Sequence, residues 1–281
     1  ELTKTDVTGT SPGFYTQDEI RQLVAFAADR GIRIVPEFDL PGHARALLPL
    51  ADAGLKFCSF PRKNQVMRDP AGSSLKVLTA LLGEMASLFP DDVLNIGADE
   101  TLIEGGCPAN ETRALEAELV QAVVGMNKTA MGWEQLIWAP QPTIINAYAG
   151  YTAAQVVAKG HLAVESSADH FYFTHPAGWD PPATRDRCEY GCAGADGWQM
   201  CWHDIGSGVP AANASMVLGG EVSMWTDDYV FPAECDAFVG RVPANGSVLY
   251  TRDLDAAFAA SVGGLMWPRG FVAAGAFYRF D

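Results

Sequence analysis

The chain has 281 residues, 48% of them hydrophobic and 19% charged, which is enough apolar material for one sizeable core. Its 19 Lys and Arg against 34 Asp and Glu leave a net charge of −15, which argues against nucleic acid and against an anionic membrane surface, because both are bound by clustered cations. The longest apolar stretches are short and broken by Gly, Pro or acids, so no membrane insertion is expected.

Taken in order, Thr16-Gln-Asp-Glu19 reads as a capping box that opens a helix. Ile20, Leu23, Val24 and Ala27 recur at helical spacing, and Gly31 closes the pattern. Ile32 to Phe38 is rich in β-branched residues and predicts a strand that runs into the loop Asp39-Leu-Pro-Gly-His43. Leu75, Leu78, Leu81, Leu82 and Met85 stripe a helix over about Ser74–Leu88, and Val93–Gly97 predicts the strand that ends at Asp99-Glu100. A helix near Arg113–Val124, a strand near Thr129–Trp133, strand-like Thr143–Tyr148, a helix around Ala153–Lys159 and a strand His161–Ser166 follow. Beyond a Gly- and Cys-rich insertion come a further strand within Met216–Trp225 and a helical region around Trp267-Pro-Arg269.

Strands alternating with helices imply parallel βα units, and in such folds the chemistry collects at the strand C-termini. Those ends carry Glu37 and Asp39, then Asp99 and Glu100, then Trp133 and Glu134, then Glu221 and Trp225. Acids beside tryptophans suggest a sugar site, since carboxylates bind hydroxyls while indoles stack on the apolar face of a pyranose. Neighbouring Asp-Glu pairs usually sit at solvated helix starts; the apolar strand directly before Asp99 favours a site here. Glu37, Asp39 and Glu221 are equally readable as structural acids. His170, His175 and His203 lack metal-ligand spacing and are expected at the surface, and neither a metal nor a cofactor is expected.

The six cysteines fit disulfides better than a metal site, if the chain is exported. Cys188, Cys192, Cys201 and Cys235 could pair among themselves in three ways. Sequons at Asn110, Asn127, Asn213 and Asn245 point the same way for a eukaryotic source. Glu1-Leu-Thr-Lys lacks the apolar core of a signal peptide, so a leader was removed or the chain starts inside a longer precursor. A secreted or lysosomal/vacuolar location is the expectation.

The motifs Gly13-Phe-Tyr-Thr-Gln-Asp-Glu19, Val35-Pro-Glu-Phe-Asp-Leu-Pro-Gly-His43, Asn95-Ile-Gly-Ala-Asp-Glu100, Gly132-Trp-Glu134, Gly219-Gly-Glu-Val-Ser-Met-Trp225 and Trp267-Pro-Arg269 stand in one order along the chain. In that order they resemble glycoside hydrolase family 20, the β-N-acetylhexosaminidases. The resemblance implies an α/β fold of the TIM (β/α)₈-barrel type. It also implies an exo-acting, retaining enzyme that releases terminal β-linked GlcNAc or GalNAc with help from the substrate's own acetamide, so that the substrate partner is a glycan or glycoconjugate; family members often form homodimers. Carried onto this chain, Glu100 is general acid and then base, and Asp99 accepts from the acetamide N–H. Trp133, Tyr148 and Trp225 wall the pocket, Tyr172 donates to the acetamide oxygen, Asp227 binds outer hydroxyls, and His43 lines the site near Glu100. Cys58 and Cys107 flank the acid motif as a disulfide does in animal members.

Three departures accompany the resemblance. Ala98 stands where the family has a second Gly, which is tolerable at negative φ and costly at positive φ. Thr174 stands where an Asp is usual. The first two βα units, which supply a sugar-gripping arginine, have no counterpart here, so residues 1–281 are expected to form one barrel domain incomplete at both ends. A catalytically impaired glycan-binding member of the same fold is therefore the alternative. A third reading is an ordinary glycosidase pairing distant acids such as Glu37 and Glu100.

Overall fold

Helix α1 (Gln17–Ala28) begins at the capping box expected from sequence: Thr16 Oγ1 accepts from the Glu19 amide at 3.2 Å, and the Thr16 amide donates to Glu19 Oε2 at 2.7 Å. The computed structural model describes residues 15–58, 65–101, 107–172 and 203–224. Within α1 only Ala27 is buried and Leu23 is 47% exposed, so the expected apolar stripe is partly open to solvent among the described residues.

Helix α2 (Ser73–Leu88) starts at Gly72, which has no side chain to cap with. Asp69 supplies the cap instead, accepting from the amides of Ser74 (2.8 Å) and Ser73 (3.2 Å); the Ser74 amide is the chief reason its pKa falls to about 2. Helix α3 (Ala109–Gly125) begins four residues before the sequence pattern suggested. Its buried face is Thr112, Leu115, Glu116, Leu119, Val120 and Val123, the spacing of one helical side. Arg68 ties the preceding loop to this helix through Glu118 (2.7 Å) and Glu111 (3.0 Å). Next to it, Cys58 and Cys107 form a disulfide across 49 residues.

The chain divides into two compact units, one reaching Asn146 and including Lys159–Leu162, the other holding Ala147–Ala158 and the residues from Ala163 on. In the first, β1 (Val93–Asn95) pairs in parallel with β2 (Thr129–Trp133), and β2 pairs in parallel with β3 (Ile144–Ala147), in register Leu94 to Ala130 and Trp133 to Asn146. Helices α2 and α3 pack on each other, and Leu78, Leu82, Leu115 and Leu119 are fully buried there. At the start of the next strand, His161 is buried: its Nδ1 accepts from the Thr143 amide and its Nε2 lies 3.2 Å from the Ile137 carbonyl. Burial lowers its pKa, so the imidazole stays neutral and donates from Nε2.

The second unit holds α4 (Ala153–Ala158), α5 (Ala168–Phe171) and the parallel pair β4 (Leu162–Glu165) and β5 (Val217–Gly220), with a register shift between Ala163 and Val164.

The expected strand over Ile32–Phe38 is a correction. Only Glu37 forms a bridge, to Asn95, supported by Phe38 N to Asn95 O (2.9 Å) and Asn95 N to Pro36 O (3.0 Å). Pro36 has no amide to donate, which cuts the ladder short. The expected helix around Trp267, and Cys188, Cys192, Cys201, Cys235 and Asn245, lie outside the described residues.

Leu119→Ala should cost about 2–5 kcal/mol, read as a lower midpoint in urea unfolding. Cys58→Ser should cost about 2–4 kcal/mol through loss of the cross-link, and a midpoint unchanged in both variants would contradict this account of the core.

Candidate active site

The turn after β1 carries the acids, and side-chain acceptors hold its backbone. Gly97 N donates to Asn95 Oδ1 at 2.8 Å and Ala98 N donates to Asp39 Oδ1 at 3.1 Å. Ala98 (φ 70°) and Glu100 (φ 54°) both sit in the left-handed region, as does His43 (φ 45°) on the facing loop. Left-handed geometry costs an L-residue about 1–2 kcal/mol, so tertiary contacts must hold these residues. Ala98 thus falls on the costly side of the Gly-to-Ala departure noted in the sequence, and it is fully buried.

Two glycines permit the approach of the two loops. A Cβ on Gly97 would lie 2.4 Å from Asp39 Oδ1, and one on Gly42 would lie 2.9 Å from the Asp99 carbonyl oxygen. With those hydrogens in place, Asp39, His43 and Asp99 bring one polar atom each within 4.8 Å of the others. His43 Nε2 lies 3.4 Å from Glu100 Oε2 and 3.5 Å from Asp99 Oδ2. Glu100 is the most open of the group, with half its side chain exposed against 24% for Asp99.

Burial, and then the Asp99 charge beside it, pushes the Asp39 carboxyl up to about 9. Asp39 is therefore protonated at neutral pH and donates to Asp99. Asp99 Oδ1 is buried and has no hydrogen-bond partner among the described residues. Asp99 Oδ2, in contrast, lies 3.5 Å from His43 Nε2. Three ligand atoms this close could also share a cation; the chemistry below uses them for protons and hydrogen bonds.

Trp133 is only 4% exposed; its amide donates to the Gly97 carbonyl (2.7 Å) and its Nε1 donates to Glu37 Oε1 (3.0 Å). Glu37 is thereby engaged by the indole while its residue stays solvent-accessible. In the second unit, Tyr148 and Tyr172 have ring centroids 5.9 Å apart, and Tyr172 bridges Ser223. The Glu221 amide donates to the Glu165 carbonyl oxygen (2.9 Å). Trp225, Asp227 and Thr174 lie outside the described residues. Asn110 and Asn127 are exposed and Asn213 is half-buried.

Sequence reasoning missed three groups. Glu165 is buried at the end of β4, and burial raises its pKa; the signal was an acid at the C-terminal end of a strand-like run. Glu116 is buried on α3, signalled by a charge on an otherwise apolar stripe. The expectation that His170 and His203 are surface residues is corrected, because both are half-buried and their rings stack at 4.3 Å. His203 Nε2 is 3.8 Å from Glu165 Oε1, and burial, followed by the charge of His170, lowers its pKa.

Residues 2–114, which carry the whole acid turn and its facing loop, match the family model described as glycosyl hydrolase family 20, catalytic domain. Over these residues the chain is similar to that family's catalytic domain. A β-hexosaminidase of Vibrio furnissii is 41% identical over 96 residues, covering 31% of this chain and 16% of its own. One from Porphyromonas gingivalis is 25% identical, covering 83% of this chain and 33% of its own, and subunit A2 of the Dictyostelium discoideum enzyme is 24% identical, covering 75% and 41%. The chain thus spans less than half the length of these relatives. Among solved structures, the Vibrio harveyi family 20 exo-β-N-acetylglucosaminidase in complex with N-acetylglucosamine aligns over 94% of this chain and 42% of its own at 22% identity, TM-score 0.66. The Streptomyces coelicolor β-N-acetylhexosaminidase aligns over 97% and 58% at 24% identity, TM-score 0.64. The fold is therefore of the family's TIM (β/α)₈-barrel type.

The protonated Asp39 gives a pH signature. Its ordinary value is 3.8 and its folded value about 9, so between those limits the folded chain keeps a proton that the unfolded chain has lost. Its contribution to stability is complete below about pH 4 and is lost as the pH rises towards 9. Urea unfolding across this range should show the decline, and Asp39→Asn, which cannot ionise, should flatten it. An equally steep decline in the variant would show that the proton resides elsewhere.

Proposed function

We propose that this chain hydrolyses terminal, non-reducing β-linked N-acetylhexosamine with retention, using the substrate's acetamide as the nucleophile. One observation supports this above the others: Asp99 and Glu100 lie side by side on one turn, both within 3.5 Å of His43 Nε2. Two acids on one side cannot flank a glycosidic bond from opposite faces, as ordinary retaining or inverting pairs do, whereas substrate assistance needs them on one side.

In the first step the acetamide carbonyl oxygen attacks the anomeric carbon and the glycosidic C–O bond breaks. Glu100 gives its proton to the departing oxygen. Asp99 accepts from the acetamide N–H at Oδ2 and stabilises the positive charge of the cyclic oxazolinium. In the second step Glu100 takes a proton from water, and the water oxygen opens the ring at the anomeric carbon with net retention. His43 places its Nε2 within 3.5 Å of both acids. Trp133 sets the back of the site through Glu37. Trp225, Tyr148, Tyr172 and Asp227 keep the sugar-binding roles that the resemblance assigns them.

The relatives' names agree with this reading, and the Vibrio harveyi enzyme was captured with N-acetylglucosamine. A disulfide at Cys58–Cys107 supports an oxidising, secreted or lysosomal/vacuolar setting.

An aryl β-N-acetylglucosaminide should be hydrolysed and the matching β-glucoside, which lacks the acetamide, should not. Glu100→Gln should lower kcat by about 10³-fold or more with the fold intact by circular dichroism. A thiazoline mimic of the cyclic intermediate should inhibit competitively. Binding of GlcNAc without turnover would assign the chain to the glycan-binding alternative, and turnover of the β-glucoside would point to a second, distant carboxylate.

A further inference from the structure

We infer that Glu116 is a positioning residue for the proposed general acid: it holds the Thr101 hydroxyl and, through it, the left-handed turn that presents Glu100. The inference rests on the reading of Glu100 given above. Glu116 sits on α3 between Leu115 and Leu119 and is only 2% exposed. A leucine there would fill the same stripe without the cost of burying a carboxyl. What the carboxyl adds is one short bond, Thr101 Oγ1 to Glu116 Oε1 at 2.7 Å.

Thr101 is itself 2% exposed and adjoins Glu100 in the chain. Its hydroxyl is also 3.4 Å from the Ala98 carbonyl oxygen, and its methyl packs on Gly42, 3.1 Å from where a Cβ would stand. One side chain therefore touches both ends of the Ala98–Thr101 turn and the facing loop. Two residues of that turn are non-glycine and left-handed, so local preference works against it and a tertiary clamp must hold it. The link survives either protonation state of Glu116, whose pKa burial raises to about 7. When ionised, Glu116 accepts the Thr101 proton. When protonated, it donates to Thr101 Oγ1 and frees that proton for the Ala98 carbonyl.

The test uses the whole chain with Thr101→Val, which keeps the branched shape, Glu116→Leu, Glu116→Gln and the double variant Thr101→Val/Glu116→Leu. Amide hydrogen exchange followed by mass spectrometry should be about tenfold faster over residues 98–101 in Thr101→Val and Glu116→Leu, no faster in the double variant, unchanged in α1, and near wild type in Glu116→Gln. On the aryl substrate, kcat should fall about tenfold or more with KM within about twofold, and Glu116→Gln should restore it. A lower melting temperature with unaltered exchange at 98–101 and unaltered kcat would make Glu116 a structural residue only and overturn the inference. If Glu116→Leu does not fold, Thr101→Val decides alone. Absence of hydrolysis by the unmodified chain would instead defeat the reading of Glu100, while the exchange pattern would still decide whether Glu116 holds the turn.

Discussion

Everything at the acid turn depends on two carboxyls, Asp39 and Asp99, placed together where only one of them can carry charge. Their closeness requires a bare Cα at Gly97, because a methyl there would overlap Asp39 Oδ1. Once they are together, burial and mutual repulsion fix a proton on Asp39. Asp99 Oδ2 lies on the side of His43, 3.5 Å from Nε2.

The strain in the backbone follows from the same demand. Adjacent acids at the end of a strand would point to opposite faces if the strand continued. Turning the chain through left-handed Ala98 and Glu100 places both beside His43 instead. The turn is held from outside: Asn95 and Asp39 accept its first amides, Gly42 packs against it, and the buried pair Thr101 and Glu116 pins its end. Packing of α3 on α2 supplies the rigid wall from which Glu116 reaches.

The two compact units divide the remaining chemistry. In the first, the parallel strands set Asn95 level with Met131 and Trp133 level with Asn146, and the Trp133 indole reaches Glu37. The second has its own buried acid, Glu165, beside the stacked pair His170 and His203, and its own tyrosine pair. There the strand-end acid is braced by backbone donors at Ala153 and Gly206.

The sequence by itself determined the order of elements and the position of Asp99 and Glu100 at the end of a strand. The capping box of α1, the apolar stripes of α2 and α3 and the short apolar strands are local patterns, read within a turn or two of the residues that make them. The family order of motifs marked Asp99, Glu100 and His43 without any coordinates. Where local chemistry ran against the pattern, as at Pro36, the expected strand shrank to one bridge. What only the tertiary structure decided were quantities that depend on partners distant in sequence. These are the sign of φ at Ala98, the proton on Asp39, the burial of Trp133 against Glu37 and the bond from Glu116 to Thr101. Each arises from desolvation or close approach between segments that meet only when the chain folds, and neither leaves a period or a spacing to read.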